Sequence, residues 1–307
     1  MSLTTPIDQE TIEEQPLPTS PISVRLSDLS EMTKPGITMM VVLTAGLGFF
    51  LAGGQISFLL LVYTLLGTGL VSAGASVLNH VIEREPDALM RRTENRPLPA
   101  GRMSPDVALL FGVTLGVAGL AELALAVNLL TALLGVVALA GYVFVYTPLK
   151  RITSLATVVG AIPGAIPPMM GWAAVRGQLD PAAWVLFGIL FLWQMPHFLA
   201  IAWLCREDYA RGGFPMLTVL DTDGGRTARQ MILYGAALIP VSLLPSTFGL
   251  MGTVYFAGAL LLGLVYLAYC FGFARTRSTP GARRLMFVSI LYLPAILLVM
   301  LLDRVLA

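Results

Sequence analysis

Asn79, Glu83 and Asp87 carry three oxygen-bearing side chains, spaced four residues apart at the end of a long apolar segment. Four residues of an α-helix turn by about 400°, so these side chains would form one stripe along a helix. Pro86 cannot donate a backbone hydrogen bond and disfavours helix at the residue before it. We therefore expect Asn79 and Glu83 to end a helix and Asp87 to follow a kink. Oxygen ligands of this kind suit Mg²⁺.

Basic side chains lie close to this stripe in the sequence or on the same predicted side of the chain. Arginine matches phosphate oxygens geometrically, and lysine supplies a compact positive charge. Carboxylates for a metal beside cations for phosphate are the chemistry of a diphosphate-binding site. The candidate diphosphate ligands are Arg91, Arg92, Arg96, Lys150 and Arg151.

A second charged stretch, "WLCREDYARGGFPM", contains the acids Glu207 and Asp208 between Arg206 and Arg211. We predict that Glu207 and Asp208 complete the metal site, with Asp208 a catalytic residue beside the stripe. The alternative is that these charges only orient the chain in a membrane, because charged cytoplasmic loops are common in membrane proteins.

The elements that must position these residues are membrane helices. The chain of 307 residues is 56% hydrophobic and only 12% charged, which is too little charge for a water-facing surface. Apolar runs of about 20 residues follow one another, and each is long enough to cross a bilayer as a helix. The sequence thus predicts an all-α integral membrane protein with nine spans, near residues 37–55, 58–80, 106–124, 128–147, 153–173, 181–203, 230–248, 252–273 and 285–302.

The basic residues predict the orientation of the bundle. With nine spans, every lysine and arginine except Arg176 and Arg304 falls on one side, which is 17 of 19. The positive-inside rule makes that side cytoplasmic, and it also holds both charged loops. Residues 1–34 are polar, acidic and Pro-rich in their first part, which predicts a disordered cytoplasmic tail before a transmembrane domain of residues 35–307.

The stretch "NHVIEREPDALMRRTENRPLPAGR" resembles the first aspartate-rich motif of the UbiA superfamily of intramembrane prenyltransferases. It is most similar to the protohaem IX farnesyltransferase (haem O synthase) branch, in which Asn-x-x-x-Asp-x-Asp-x-Asp-x-x-Met-x-Arg-Thr precedes Arg-Pro-Leu-Pro. Glu83 and Glu85 stand where that branch usually has Asp. Three more segments agree with the pattern: "YTPLKR", "GAIPGAIPPMMGW" and "WQMPHFLAIAWLCREDYARGGFPML". The resemblance extends from about residue 35 to the end of the chain.

The resemblance implies a nine-helix UbiA-type bundle whose active-site rim faces the cytoplasm. It implies that farnesyl diphosphate, haem B and water react to give haem O and diphosphate, with Mg²⁺ as cofactor and Asn79, Glu83, Asp87 and Asp208 in catalysis. It also implies a plasma-membrane location, with a haem A synthase or terminal-oxidase assembly proteins as partners. His197, an ionisable residue inside the sixth span, is then the candidate haem ligand, because imidazole often binds haem iron. The alternative is a neutral histidine that is hydrogen-bonded between helices.

Two other readings remain open at this stage. A UbiA-type enzyme that prenylates a quinone precursor or another aromatic acceptor would share the first motif and the metal chemistry. A membrane transporter or assembly protein without catalysis would need neither acidic cluster. His80, next to Asn79, would point about 100° away from it and is expected to lie outside the core site.

Overall fold

The computed structural model describes residues 25–54 and 57–306, and all regular structure in these two ranges is helical. The helices are α1 Leu26–Met32, α2 Pro35–Ala52, α3 Phe58–Ile82, α4 Arg84–Leu89, α5 Pro105–Glu122, α6 Leu129–Ala140, α7 Thr147–Leu149, α8 Ala156–Ala165, α9 Pro167–Arg176, α10 Pro181–Leu204, α11 Arg206–Arg211, α12 Leu217–Leu220, α13 Gly225–Thr247, α14 Thr253–Thr276 and α15 Thr279–Leu306. Wider, π-helical turns at Leu123–Val127 and Gly141–Tyr146 extend α5 and α6.

Nine helical stretches in the described ranges are long and apolar enough to cross a membrane, as predicted. Large apolar side chains cover their outer surfaces; Leu110 and Leu125 are examples of strongly exposed ones. An exposed apolar surface of this extent suits lipid and not water, because in lipid the helix satisfies its own backbone while its side chains remain apolar. The chain is therefore a multi-pass membrane protein.

The fifth span is the most buried and is made of two helices, α8 and α9. It breaks at Ile166, directly before the prolines of "IPP". Small residues then let α9 touch α2 through the backbone. A Cβ at Gly171 would lie 1.8 Å from the carbonyl oxygen of Ala45, and one at Gly48 would lie 1.9 Å from that of Pro168. Close packing of this type is common where membrane helices meet.

The N-terminal segment differs from the prediction. Residues 1–24 of the predicted disordered tail lie outside the described residues, but Leu26–Met32 form helix α1, so the prediction is wrong for that part. Arg102 holds α1 in place through Asp28 (2.9 Å) and Glu31 (3.1 Å). Met32 is fully buried in a cluster with residues of α3 and α5, which adds an apolar anchor. The composition of residues 1–34 could not predict these contacts, because Arg102 is about 70 residues away in the sequence.

The short helices lie between the spans and pack against one another. Helix α4 follows α3, α11 follows α10, and α4 contacts α11. An apolar cluster of Met90, Phe214 and Met216, with Tyr209 against it, fastens the first charged loop to the second. The two loops thus form one rim at a single end of the bundle, as the sequence predicts.

Candidate active site

Asn79, Glu83 and Asp87 form the predicted stripe, which we call the oxygen stripe. Asn79 lies on the last turn of α3, Glu83 joins α3 to α4, and Asp87 lies on α4. The backbone amide of Glu83 donates to Asn79 O (2.9 Å) and that of Asp87 to Glu83 O (2.8 Å), so the helical register continues through the joint. All three side chains are buried. Pro86 is tolerated because it lies in the first turn of α4, where no intrahelical amide is needed.

Lys34 contacts Asn79, the first residue of the stripe. Its ammonium donates to Asn79 Oδ1 (2.9 Å), while Asn79 Nδ2 donates to the Thr147 hydroxyl (3.1 Å). Lys34 is one of two non-glycine residues with positive φ in the described ranges (φ 48°), a conformation that costs about 1–2 kcal/mol. Burial, and then the charges of Arg96 and Lys150, lower the pKa of Lys34 from 10.5 to about 7.

Lys150 forms an ion pair with Glu83, and both side chains are buried. Burial alone would lower the pKa of Lys150, but the charge and hydrogen bond of Glu83, together with Tyr142 and Tyr209, leave that pKa raised. The ammonium also lies over two aromatic rings, 4.8 Å from the centre of Tyr146 and 5.7 Å from that of Phe214. Aromatic faces attract cations, so this corner of the site is built for positive charge.

Arg96 binds the third position of the stripe. Its Nη1 donates to Asp87 Oδ2 at 2.7 Å. The hydroxyl of Thr93 donates to Asp87 O (2.8 Å) and closes the loop between them. The other carboxylate oxygen, Asp87 Oδ1, is buried and has no hydrogen-bond partner among the residues that the structure describes. A buried charged oxygen without a partner is costly, which indicates that a ligand completes this site.

The second loop reaches the first through Asp208. Its Oδ1 accepts from the backbone amide of Arg91 (3.1 Å) and pairs with Arg211. The guanidinium of Arg92 lies 5.8 Å from the ring centre of Tyr209. The structure therefore brings the first-loop arginines and Asp208 to one rim, although the Arg91 side chain itself is exposed.

Two predicted site residues lie at the periphery. Glu207 and Arg151 are exposed, and neither forms an ion pair with another residue in the described ranges. The role predicted for each of them remains a prediction. Adjacent residues on a helix point about 100° apart, which explains why Asp208 turns toward the first loop and Glu207 does not.

The oxygen stripe fits a divalent cation only in part. Its donors are hard oxygens, and Asp87 Oδ1 is unpartnered. However, the described part of the chain contains no group of three or more His, Cys, Asp or Glu side chains that could hold a metal ion. These residues could supply only part of a coordination shell. This suits Mg²⁺, which is commonly held by one or two carboxylates together with waters and substrate phosphates.

The two histidines occupy different environments. His80 is 2% exposed, and neither ring nitrogen has a hydrogen-bond partner among the described residues. It lies within the electrostatic reach of Lys34, Arg96 and Lys150, so it is closer to the charged site than its angle to Asn79 predicts. His197 lies deeper in α10, where its Nδ1 is 2.6 Å from Ser289 Oγ.

The chain is similar to known proteins over most of its length. The model of the UbiA prenyltransferase family matches residues 40–291. The chain belongs to the UbiA prenyltransferase family. Its relatives include the protoheme IX farnesyltransferase of Solibacter usitatus, 50% identical over 91% of this chain and 99% of that protein. The protoheme IX farnesyltransferase of Myxococcus xanthus is 46% identical over 91% of this chain and 95% of that protein.

Solved structures confirm the UbiA fold. A digeranylgeranylglyceryl phosphate synthase superposes with a TM-score of 0.77, at 15% identity, over 92% of this chain and 99% of that one. A UbiA homolog from Archaeoglobus fulgidus bound to DMAPP and Mg²⁺ has a TM-score of 0.62, at 16% identity, over 89% and 99%. As a member of this family, the protein is a prenyltransferase, which excludes a transporter or assembly protein without catalysis.

Proposed function

We propose that this protein transfers the farnesyl group of farnesyl diphosphate to a vinyl group of haem B, with addition of water, and releases haem O and diphosphate. The observation that supports farnesyl diphosphate as the prenyl donor is the oxygen stripe at the end of an apolar bundle. Each residue of the stripe contacts a separate cation. A prenyl diphosphate combines the same two characters, a charged head and an apolar chain. Full-length similarity to proteins named protoheme IX farnesyltransferase supports haem as the acceptor.

The basic residues bind the leaving group. Lys34, Arg96 and Lys150 would exchange their stripe partners for diphosphate oxygens, and Arg91, Arg92 and Arg151 would add charge at the rim. Asn79, Glu83, Asp87, Glu207 and Asp208 would hold Mg²⁺ together with the substrate. When bound, Mg²⁺ supplies Lewis-acid neutralisation of the charge that develops on the diphosphate. The protein cations supply the same kind of stabilisation from preorganised positions.

The transfer balances without an oxidant or reductant. The bond between C1 of the farnesyl chain and the diphosphate oxygen breaks, and its electron pair leaves with the diphosphate. The vinyl group supplies the electrons for the new carbon–carbon bond to C1. Water then adds to the cation left on the vinyl carbon and loses a proton. The rings of Tyr146 and Phe214, which already face the ammonium of Lys150, can stabilise the allylic cation.

The placement in the cell forms part of the proposal. Because 17 of 19 basic residues lie on the side of the two charged loops, we assign that side to the cytoplasm and the protein to the plasma membrane. His197 would bind the haem within α10, below the rim. A haem A synthase or terminal-oxidase assembly proteins would then receive the product.

A product assay tests this function. The full chain is expressed in bacterial membranes that lack their own haem O synthase, and the extracted haems are weighed by mass spectrometry. We expect a hydroxyethylfarnesyl haem from the wild type and from Glu94→Ala, whose exposed side chain lies in the same loop. We expect none above background from Asp87→Ala, and less from His197→Ala.

Unmodified haem from well-folded wild-type protein, supplied with farnesyl diphosphate, would refute the proposed acceptor. The same membranes are then given a quinone precursor, since a UbiA-type enzyme for an aromatic acceptor would use the same diphosphate site. Prenylation of that acceptor, abolished by Asp87→Ala, would keep the site and replace haem as the substrate.

A further inference from the structure

His197 and Ser289 connect two spans through one short contact. His197 lies on α10 and Ser289 on α15, and the distance from Nδ1 to Oγ is 2.6 Å. Ser289 is fully buried, whereas the His197 ring is only partly buried. The direction of this hydrogen bond decides which ring nitrogen of His197 carries the proton.

The serine hydroxyl has one proton, and a second contact shows where it goes. Ser289 Oγ lies 2.5 Å from the carbonyl oxygen of Met286, which can only accept. Ser289 therefore donates to Met286 and accepts from His197, so the proton of the neutral imidazole is on Nδ1. Nε2 then carries a free lone pair. Nε2 has no hydrogen-bond partner in the part of the chain that the structure describes. It is also not fully buried, so a ligand can reach it.

Surrounding contacts hold the imidazole plane in one orientation. Trp193 stacks on the His197 ring, with 5.2 Å between centres and 15° between planes. The Trp193 indole donates to the backbone oxygen of Ser289 (2.8 Å), and the Tyr266 hydroxyl donates to the backbone oxygen of Trp193 (2.8 Å). Residues of α10, α14 and α15 thus fix the ring. A simple packing contact between two helices would not require the orientation of the imidazole ring to be fixed by so many contacts.

We propose that Ser289 is a positioning residue: it holds His197 in the Nδ1–H tautomer, so that Nε2 binds the iron of the haem substrate. Histidine ligands of metals commonly donate their second ring N–H to an oxygen, which fixes both tautomer and orientation. The choice of haem as the ligand rests on the proposed function. The role of Ser289 rests on the hydrogen bonds around His197.

Haem binding, measured without farnesyl diphosphate, tests this role. The purified full chain in lipid nanodiscs is titrated with ferric haem, and absorption and electron paramagnetic resonance spectra report nitrogen ligation to the iron. We expect nitrogen ligation in the wild type and its loss in His197→Ala, with recovery on addition of imidazole. Ser289→Ala should weaken haem binding about 10- to 100-fold and shift the spectra. Ser289→Thr, which keeps the hydroxyl, should restore both.

The matched control is Ser242→Ala. Ser242 is also a fully buried serine, and its hydroxyl donates to the carbonyl oxygen three residues earlier, at Ile239 (2.8 Å). This variant loses the same local bond and should bind haem like the wild type. A wild-type spectrum without nitrogen ligation, or wild-type affinity and spectra in Ser289→Ala, would overturn the proposal.

These outcomes are separate from those of the product assay. If the wild type makes hydroxyethylfarnesyl haem while Ser289→Ala leaves the spectra unchanged, the proposed function stands and the role of Ser289 does not. If the wild type binds haem through His197 and yields no prenylated haem, the role of Ser289 stands and the proposed reaction does not.

Discussion

Neutralising Asp87 separates the structural role of the oxygen stripe from its chemical role. The Asp87 side chain is 1% exposed and that of Arg96 is 19% exposed, with 2.7 Å between the paired atoms. Coulomb's law at an effective dielectric constant of about 20 gives roughly 6 kcal/mol at this separation. Desolvation of both groups offsets part of this energy. Removing one partner of a buried pair therefore costs about 3–5 kcal/mol, because the other charge is left unpaired.

The test compares two single variants with the double variant. Asp87→Asn and Arg96→Gln should each lower the free energy of unfolding by about 3–5 kcal/mol, measured by denaturation in detergent. In the double variant no buried charge is left alone, so most of that stability should return. Haem farnesylation should not return. Loss of the Asp87 charge at a site that stabilises the leaving group costs at least about 2.7 kcal/mol, or roughly 100-fold in rate.

The reasoning fails if the double variant regains both stability and activity. Asp87 would then serve only to neutralise Arg96, and the stripe would have no direct part in the reaction. It also fails if Asp87→Asn unfolds like the wild type, since the buried pair would then contribute nothing to the fold.

Two further predictions concern the rim and the helix packing. Asp208→Ala should raise the KM for farnesyl diphosphate more than Glu207→Ala does, because only Asp208 binds the first loop; steady-state kinetics that rank them in the opposite order would contradict the geometry. Gly48→Ala should destabilise the protein by about 1–3 kcal/mol or more, since its Cβ would lie 1.9 Å from the Pro168 carbonyl oxygen. Gly36→Ala is the control, because its Cβ would meet no atom within 4 Å apart from its chain neighbours and its own helix backbone; equal unfolding midpoints would refute this account.

The spans and the oxygen stripe could be predicted because their signals are local. A run of about 20 apolar residues is itself the requirement for a membrane helix, so the nine predicted spans recur in the described ranges with small shifts at their ends. The spacing of Asn79, Glu83 and Asp87 likewise needs only the pitch of one helix. The break between the two helices falls at Glu83 and not at Pro86, because the proline lies in the first turn of a new helix.

Arg96 and Lys150 were predicted to belong to the same site, but the cation that contacts Asn79 could not be predicted, because it comes from a distant part of the chain. Lys34 contacts Asn79 across 45 residues, and nothing in its neighbourhood marks it as a site residue. The angle of His80 to Asn79 on one helix predicts a position outside the site. The structure surrounds α3 with cations from several segments, so a position 100° away from the stripe still lies in their field.

The charge of the site suggests why metal and diphosphate should bind together. Two carboxylates, Glu83 and Asp87, face three cations, Lys34, Arg96 and Lys150, which leaves a formal excess of one positive charge at a pH below the lowered pKa of Lys34, about 7. A bare divalent cation would meet a net repulsion there, whereas its complex with a triply charged farnesyl diphosphate would be attracted. We therefore expect calorimetry to show weak Mg²⁺ binding alone and strong binding with farnesyl diphosphate. Lys34→Met, which removes the excess, should bind Mg²⁺ alone more tightly than the wild type, and weaker binding in that variant would disprove the charge argument.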